Sequence, residues 1–85
     1  MRLIASLLML LGLAAGAARA DDDLAACATR QAELAKKAAS YAGDALTKRL
    51  IEADLKRARK EQAEGDGDEC LEALDHAARL LAGDF

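Results

Sequence analysis

The chain has 85 residues, no proline or tryptophan, one tyrosine, one phenylalanine and a net charge of −3, with 53% hydrophobic side chains. That length holds one small domain. An acidic balance with almost no rings for base stacking argues against nucleic acid, and against an anionic membrane surface as the main partner.

Residues 1–20 read as an export leader. Arg2 supplies the positive start, Leu3 to Leu13 the apolar stretch, and Ala18-Arg19-Ala20 a small-residue cleavage site. The apolar run is shorter than the roughly 20 residues a membrane span needs, and Asp21-Asp22-Asp23 opposes insertion. No cysteine stands at the cut, and no twin-arginine pair is present. The expected mature protein is a single helical domain over residues 21–85, periplasmic or secreted, with no stable membrane span after cleavage. Losing Arg2 and Arg19 takes the basic residues from 12 to 10 against 15 acidic ones, and the net charge from −3 to −5.

Abundant Ala and Leu with few β-branched residues predict an all-α fold. The first segment spans about 23–42. Leu24, Cys27, Ala28, Leu34, Ala35, Ala38 and Tyr41 form its apolar face, opposite Arg30, Glu33, Lys36 and Lys37. Asp21 to Asp23 are expected to cap it and meet its dipole. Gly43-Asp44 reads as punctuation, a C′ glycine followed by a new N-cap.

The second segment spans about 44–63. Leu46, Leu50, Ile51, Leu55 and Ala58 make a broad apolar arc, interrupted at its side by Asp54 and Arg57. Lys48, Arg49, Lys56, Arg59 and Lys60 lie on the other side around Glu52. Acids are interleaved, six basic against five acidic residues over 44–64, which reads as a solvated, salt-bridged face.

Glu64-Gly65-Asp66-Gly67-Asp68-Glu69-Cys70 then turns the chain. Gly65 and Gly67 can take positive φ. Asp66 and Glu69 have the spacing of a reciprocal capping box. The third segment, about 68–82, carries a stripe of Cys70, Leu71, Leu74, Ala77, Ala78 and Leu81, and Gly83 closes it. Leu80 falls outside that stripe, and Leu46 and Leu50 lie at the edge of theirs. All three are candidates for an exposed interaction surface.

The cysteines bear on the topology. An exported chain of this size usually needs a staple, and Cys27–Cys70 is the available one. If the first two segments formed one long helix, Cys27 would lie roughly 50 Å from the turn beside Cys70, beyond any disulfide. A break at Gly43 gives an up-down-up three-helix bundle with both cysteines at one end. A disulfide-linked dimer of a fused-helix form is the other arrangement.

Chemistry is sparse. His76, the only histidine, has Glu72 four residues earlier as its neighbour. No nucleophile–base pair, phosphate-binding glycine loop or CxxC is present, so no enzyme and no cofactor are expected. Glu64, Asp66, Asp68, Glu69 and Glu72 are the candidate ligands of a divalent cation. Alternating acids resemble the start of an EF-hand loop, but its sixth position is Glu69 and its twelfth is Asp75. Ala63 to Leu81 also resembles the helix-turn-helix junction of a tetratricopeptide repeat, with no second copy to stack on. The chain is similar too to small exported metal-binding helical proteins rich in Ala, Glu and His, although it has one histidine. Neither likeness assigns a family. The expected role is a small, non-enzymatic protein-binding module of the cell envelope, as a monomer or a disulfide-linked dimer. A divalent-cation-binding protein is the alternative.

Overall fold

The computed structural model describes the backbone of residues 2–84 and the side chains of residues 21–84. Three helices form: α1 (Arg2–Ala39), α2 (Ala45–Ala63) and α3 (Gly67–Ala82). They pack as a small up-down-up bundle in which all three pairs touch, with α3 making the most extensive contacts to the other two.

α1 begins well before the expected start near residue 23. Its backbone is helical through Asp21-Asp22-Asp23, so these acids sit inside the helix instead of capping it. The Ala- and Leu-rich stretch before them holds no proline to stop helix propagation. The export-leader reading concerns residues 1–20, whose side chains lie outside the described residues. Among the described residues, no helix is long and apolar enough to cross a membrane.

Among the described residues of α1, the buried seam is narrow. Cys27, Leu34 and Ala38 are buried, Gln31 and Tyr41 are half-buried, and the spacing alternates between four and three residues. Ala28 and Ala35, expected on the apolar face, are exposed. α1 ends at Ala39, three residues early. The Ser40 hydroxyl donates to the Lys36 carbonyl at 3.1 Å, and the Tyr41 N–H donates to the Ala38 carbonyl at 3.1 Å. Such i−4 back-bonding and i−3 tightening are ways a helix terminates. Gly43 does not have the positive φ of a C′ glycine. Its role is spatial, because a Cβ there would overlap the Tyr41 ring.

Asp44 caps α2 as its spacing predicts, accepting from the Thr47 N–H at 3.1 Å. Thr47, Ile51, Leu55 and Ala58 form the buried side of α2. Leu46 and Leu50 remain exposed, at 66% and 45% of their surface.

The turn into α3 uses its glycines differently from expectation. Gly65 has φ 79°, which only glycine adopts readily. Gly67 is instead the buried first residue of α3, and a Cβ there would stand 2.5 Å from Asp23 Cβ. The missing side chain lets the start of α3 press against α1. Gly83 is left-handed at φ 74°. Its N–H donates to the Leu80 carbonyl and the Asp84 N–H to the Arg79 carbonyl, completing a C-terminal cap.

α3 buries Gly67, Cys70, Ala73, Leu74, Ala77 and Leu80. Leu80 is therefore a core residue, 6% exposed, and not part of an interaction surface. Sitting against two helices, α3 hides a wider arc than one stripe, so Ala73 and Leu80 are covered alongside Cys70, Leu74 and Ala77. Leu71, Ala78 and Leu81 pack half-buried at the margin. The core closes on the Cys27–Cys70 pair, whose Cα atoms are 6.0 Å apart.

Leu80 and Leu50 should respond differently to substitution. Leu80→Ser should lower the unfolding free energy by about 2–4 kcal/mol in denaturant titrations, while Leu50→Ser should change it by less than about 0.5 kcal/mol. Equal losses would place both in the core. Reducing Cys27–Cys70 should remove about 4 kcal/mol on the loop-entropy account for a separation of 43 residues.

Candidate interaction surface

With Leu80 and the two cysteines in the core, the other residues singled out by the sequence lie in three surface regions. The first is the acidic turn. Glu64 is the C-cap of α2, its N–H donating to the Lys60 carbonyl at 3.1 Å. Asp66 caps α3, accepting from the Glu69 N–H at 3.2 Å. The capping box is only half formed, because the Asp66 N–H donates to the Glu61 carbonyl at 2.9 Å. That bond closes the α2 terminus in place of a Glu69 carboxylate. Four of the expected cation ligands thus serve or crowd helix ends, and Glu72 lies farther along α3. Among the described residues, no three His, Cys, Asp or Glu side chains gather where they could hold a metal ion.

These acids repel one another. Glu69 is pushed above the usual carboxylate range, chiefly by the charge of Glu72, then by partial desolvation and the charges of Asp66 and Glu61. Asp23, brought to Asp68 by the Gly67 contact, is also pushed up. Its largest cause is a hydrogen bond with Asp68, followed by desolvation and repulsion from Asp68 and Asp22. Asp44 goes the other way, held down by hydrogen bonds from the Thr47 side chain and N–H.

The second region is a shallow groove between α2 and α3, about 370 Å³ in volume and lined by Asp54, Arg57, Glu72, Asp75, His76 and Arg79. His76 Nδ1 contacts Asp54 Oδ2 across the groove, and Arg79 Nε lies 3.5 Å from Asp75 Oδ2. The Asp54 carboxylate is mostly covered, while the His76 ring is largely exposed. Sequence spacing pairs His76 with Glu72 and misses this link across 22 residues. The signal for it was the interruption of the α2 apolar arc by Asp54 and Arg57, both of which line the groove. This lining mixes both signs of charge and holds no Ser, Thr, Cys or Lys side chain.

The third region is the outward face of α2. Leu46 and Leu50 lie one turn apart, with Ala53 exposed a turn beyond. Arg49, Lys56, Arg57 and Lys60 are exposed around and below them. At the opposite end from this leucine pair, the disulfide is sealed, both cysteines being 0% exposed. Gln31 Nε2 lies 3.5 Å from each of Cys27 Sγ and Cys70 Sγ. Gln31 was not identified from the sequence, though it follows Cys27 by one helical turn.

Comparison with protein-family models, curated proteins and solved structures finds no match.

The two carboxyl shifts have opposite consequences. A raised folded pKa means that the folded state holds the proton more tightly. The contribution of Asp23 is therefore present below the unfolded aspartate pKa and lost as pH rises through its folded value. Asp23→Asn should raise the melting temperature at pH 7, with the gain fading in acid. Asp44→Ala should lower it at pH 7 by about 5 °C through loss of the cap. The charge-dependent part of that loss should disappear as pH falls through the lowered pKa of Asp44. Melting curves from pH 2.5 to 7 check both; the same sign of change for the two variants at pH 7 would contradict the assignment.

Proposed function

We propose that this chain is a small exported protein, periplasmic or secreted, that works without catalysis as a protein-binding module. The carrying observation is the pair Leu46 and Leu50, left on the surface of a bundle whose other large aliphatic side chains from Leu34 to Leu81 are buried or half-buried. Burying such side chains on a partner would contribute about 1.5–3 kcal/mol each. Supporting the reading is a fold closed by a disulfide, which suits an oxidising compartment. The residue pattern of 1–20, read as a leader, supports export.

Binding through helix faces needs no conformational change. The bundle supplies a rigid helix, fixed at its start by the Asp44 cap and along its inner side by Ile51 and Leu55. A partner would meet a preformed surface and bear little ordering cost on this side.

Expression of the full chain in a bacterial host, followed by fractionation and intact-mass measurement, tests export. The expected species starts at Asp21, appears in the periplasm or medium, and gains two hydrogens on reduction. A cytoplasmic species that retains Met1 to Ala20 would overturn the export reading, and a reducible dimer would overturn the intramolecular staple.

A further inference from the structure

Resting on the binding-module reading, we infer that the outward face of α2 receives an acidic amphipathic helix of another protein. From Leu46 to Lys60 this face is about 21 Å long and one helix wide. It presents exposed Leu46 and Leu50 with four exposed cations, Arg49, Lys56, Arg57 and Lys60. Within that span Glu52 stands at one border and the carboxylate of Asp54 at the other, turned to His76 across the groove. An apolar ledge at i and i+4 with cations down one helix face calls for a partner with leucines on one stripe and carboxylates beside it.

Charge distribution selects this occupant over two others. An anionic lipid surface is flat, and α3 carries exposed Glu72 and Asp75 on the other bank of the groove. Laying α2 on such a surface would bring those carboxylates towards it, whereas a helix-sized partner can cover the α2 ledge alone. A second copy of this chain brings an acidic helix in its α3, but Leu74 and Leu80 of that helix are already buried in its own core. The leucines that a second copy does expose are Leu46 and Leu50 of its own α2, and pairing those two faces would set Arg49, Lys56, Arg57 and Lys60 of each copy against like charges. The partner must supply both features on a separate element.

The test uses the purified exported protein and three synthetic 18-residue helical peptides with identical leucine stripes. Their flanking residues are all Glu, all Gln or all Lys, and binding is followed by fluorescence anisotropy. The Glu peptide should bind at least about tenfold more tightly than the Gln peptide and weaken as salt is raised. Leu46→Ser with Leu50→Ser should abolish this binding, and Arg49→Glu with Lys56→Glu should reverse the preference toward the Lys peptide. Melting curves should confirm that each variant remains folded. Equal binding of all three peptides, lost in the leucine variant, would overturn the acidic-partner inference and leave the binding-module reading standing. No peptide binding would overturn the inference. Leucine-dependent self-association in sedimentation would identify a second copy as the occupant and overturn it. Leucine-dependent binding to phosphatidylglycerol vesicles without peptide binding would overturn both readings in favour of a lipid surface.

Discussion

The Cys27–Cys70 link ties α1 to the first turn of α3, with the two Cα atoms 6.0 Å apart. With Cys27 held to Cys70 and Asp23 lying against Gly67, α1 and α3 run the same way, and α2 returns between their ends. Gly67 supplies the other half of the constraint. Its missing Cβ lets the first residue of α3 lie against Asp23 and Leu24, just before Cys27. A side chain at 67 would push the helices apart one turn from the disulfide. The close approach has an electrostatic cost, visible in the raised pKa of Asp23 beside Asp68.

This constraint matters because the core is built from little. Among the described residues, Leu34, Ile51, Leu55, Leu74 and Leu80 bring large aliphatic side chains to the covered interior, and Ala38, Ala58, Ala73 and Ala77 fill in around them. Alanines bring helix backbones close and add little apolar area of their own. A domain of this size has a total stability of only a few to about 10 kcal/mol, so a cross-link estimated at about 4 kcal/mol supplies a large part of it. Sealing of both sulfurs under Gln31 fits a structural role better than a reactive one, since exchange requires access to sulfur.

The helix pattern makes the architecture legible in the sequence, and each departure from it has a local cause. Asp44 and Gly83 carried their helix-end roles in their own chemistry and were placed correctly. Gly43 and Gly67 look like conformational glycines in the sequence, which does not show which ring or neighbouring helix fills the space beside them. Leu80 falls outside the single stripe yet is core, because one stripe describes a helix packed on one neighbour and α3 lies against two. Thr47 is polar and outside the apolar pattern, yet its N–H donates to Asp44 and the residue is buried. The Asp54–His76 contact depends on the register of α2 against α3, which periodicity within either helix cannot supply. The acids of the turn were legible as caps, and their failure to converge is a consequence of that same use.

Leu46 and Leu50 bear on function through what the bundle cannot do with them. The apolar arc of α2 is broader than the surface that α1 and α3 together cover, because Thr47, Ile51, Leu55 and Ala58 already occupy it. Turning α2 to hide Leu46 and Leu50 would bring Ile51 and Leu55 toward water and carry Asp54 away from His76. No rotation buries the whole arc. One exposed leucine on such a helix would be ordinary. Two on successive turns, beside four exposed cations and on the face pointing away from the core, amount to an apolar surplus with a charge pattern attached. The fold fixes that surplus in place through the contacts on the opposite side of the same helix. It thereby presents a rigid surface in which shape comes from the core and selectivity from the surrounding charge.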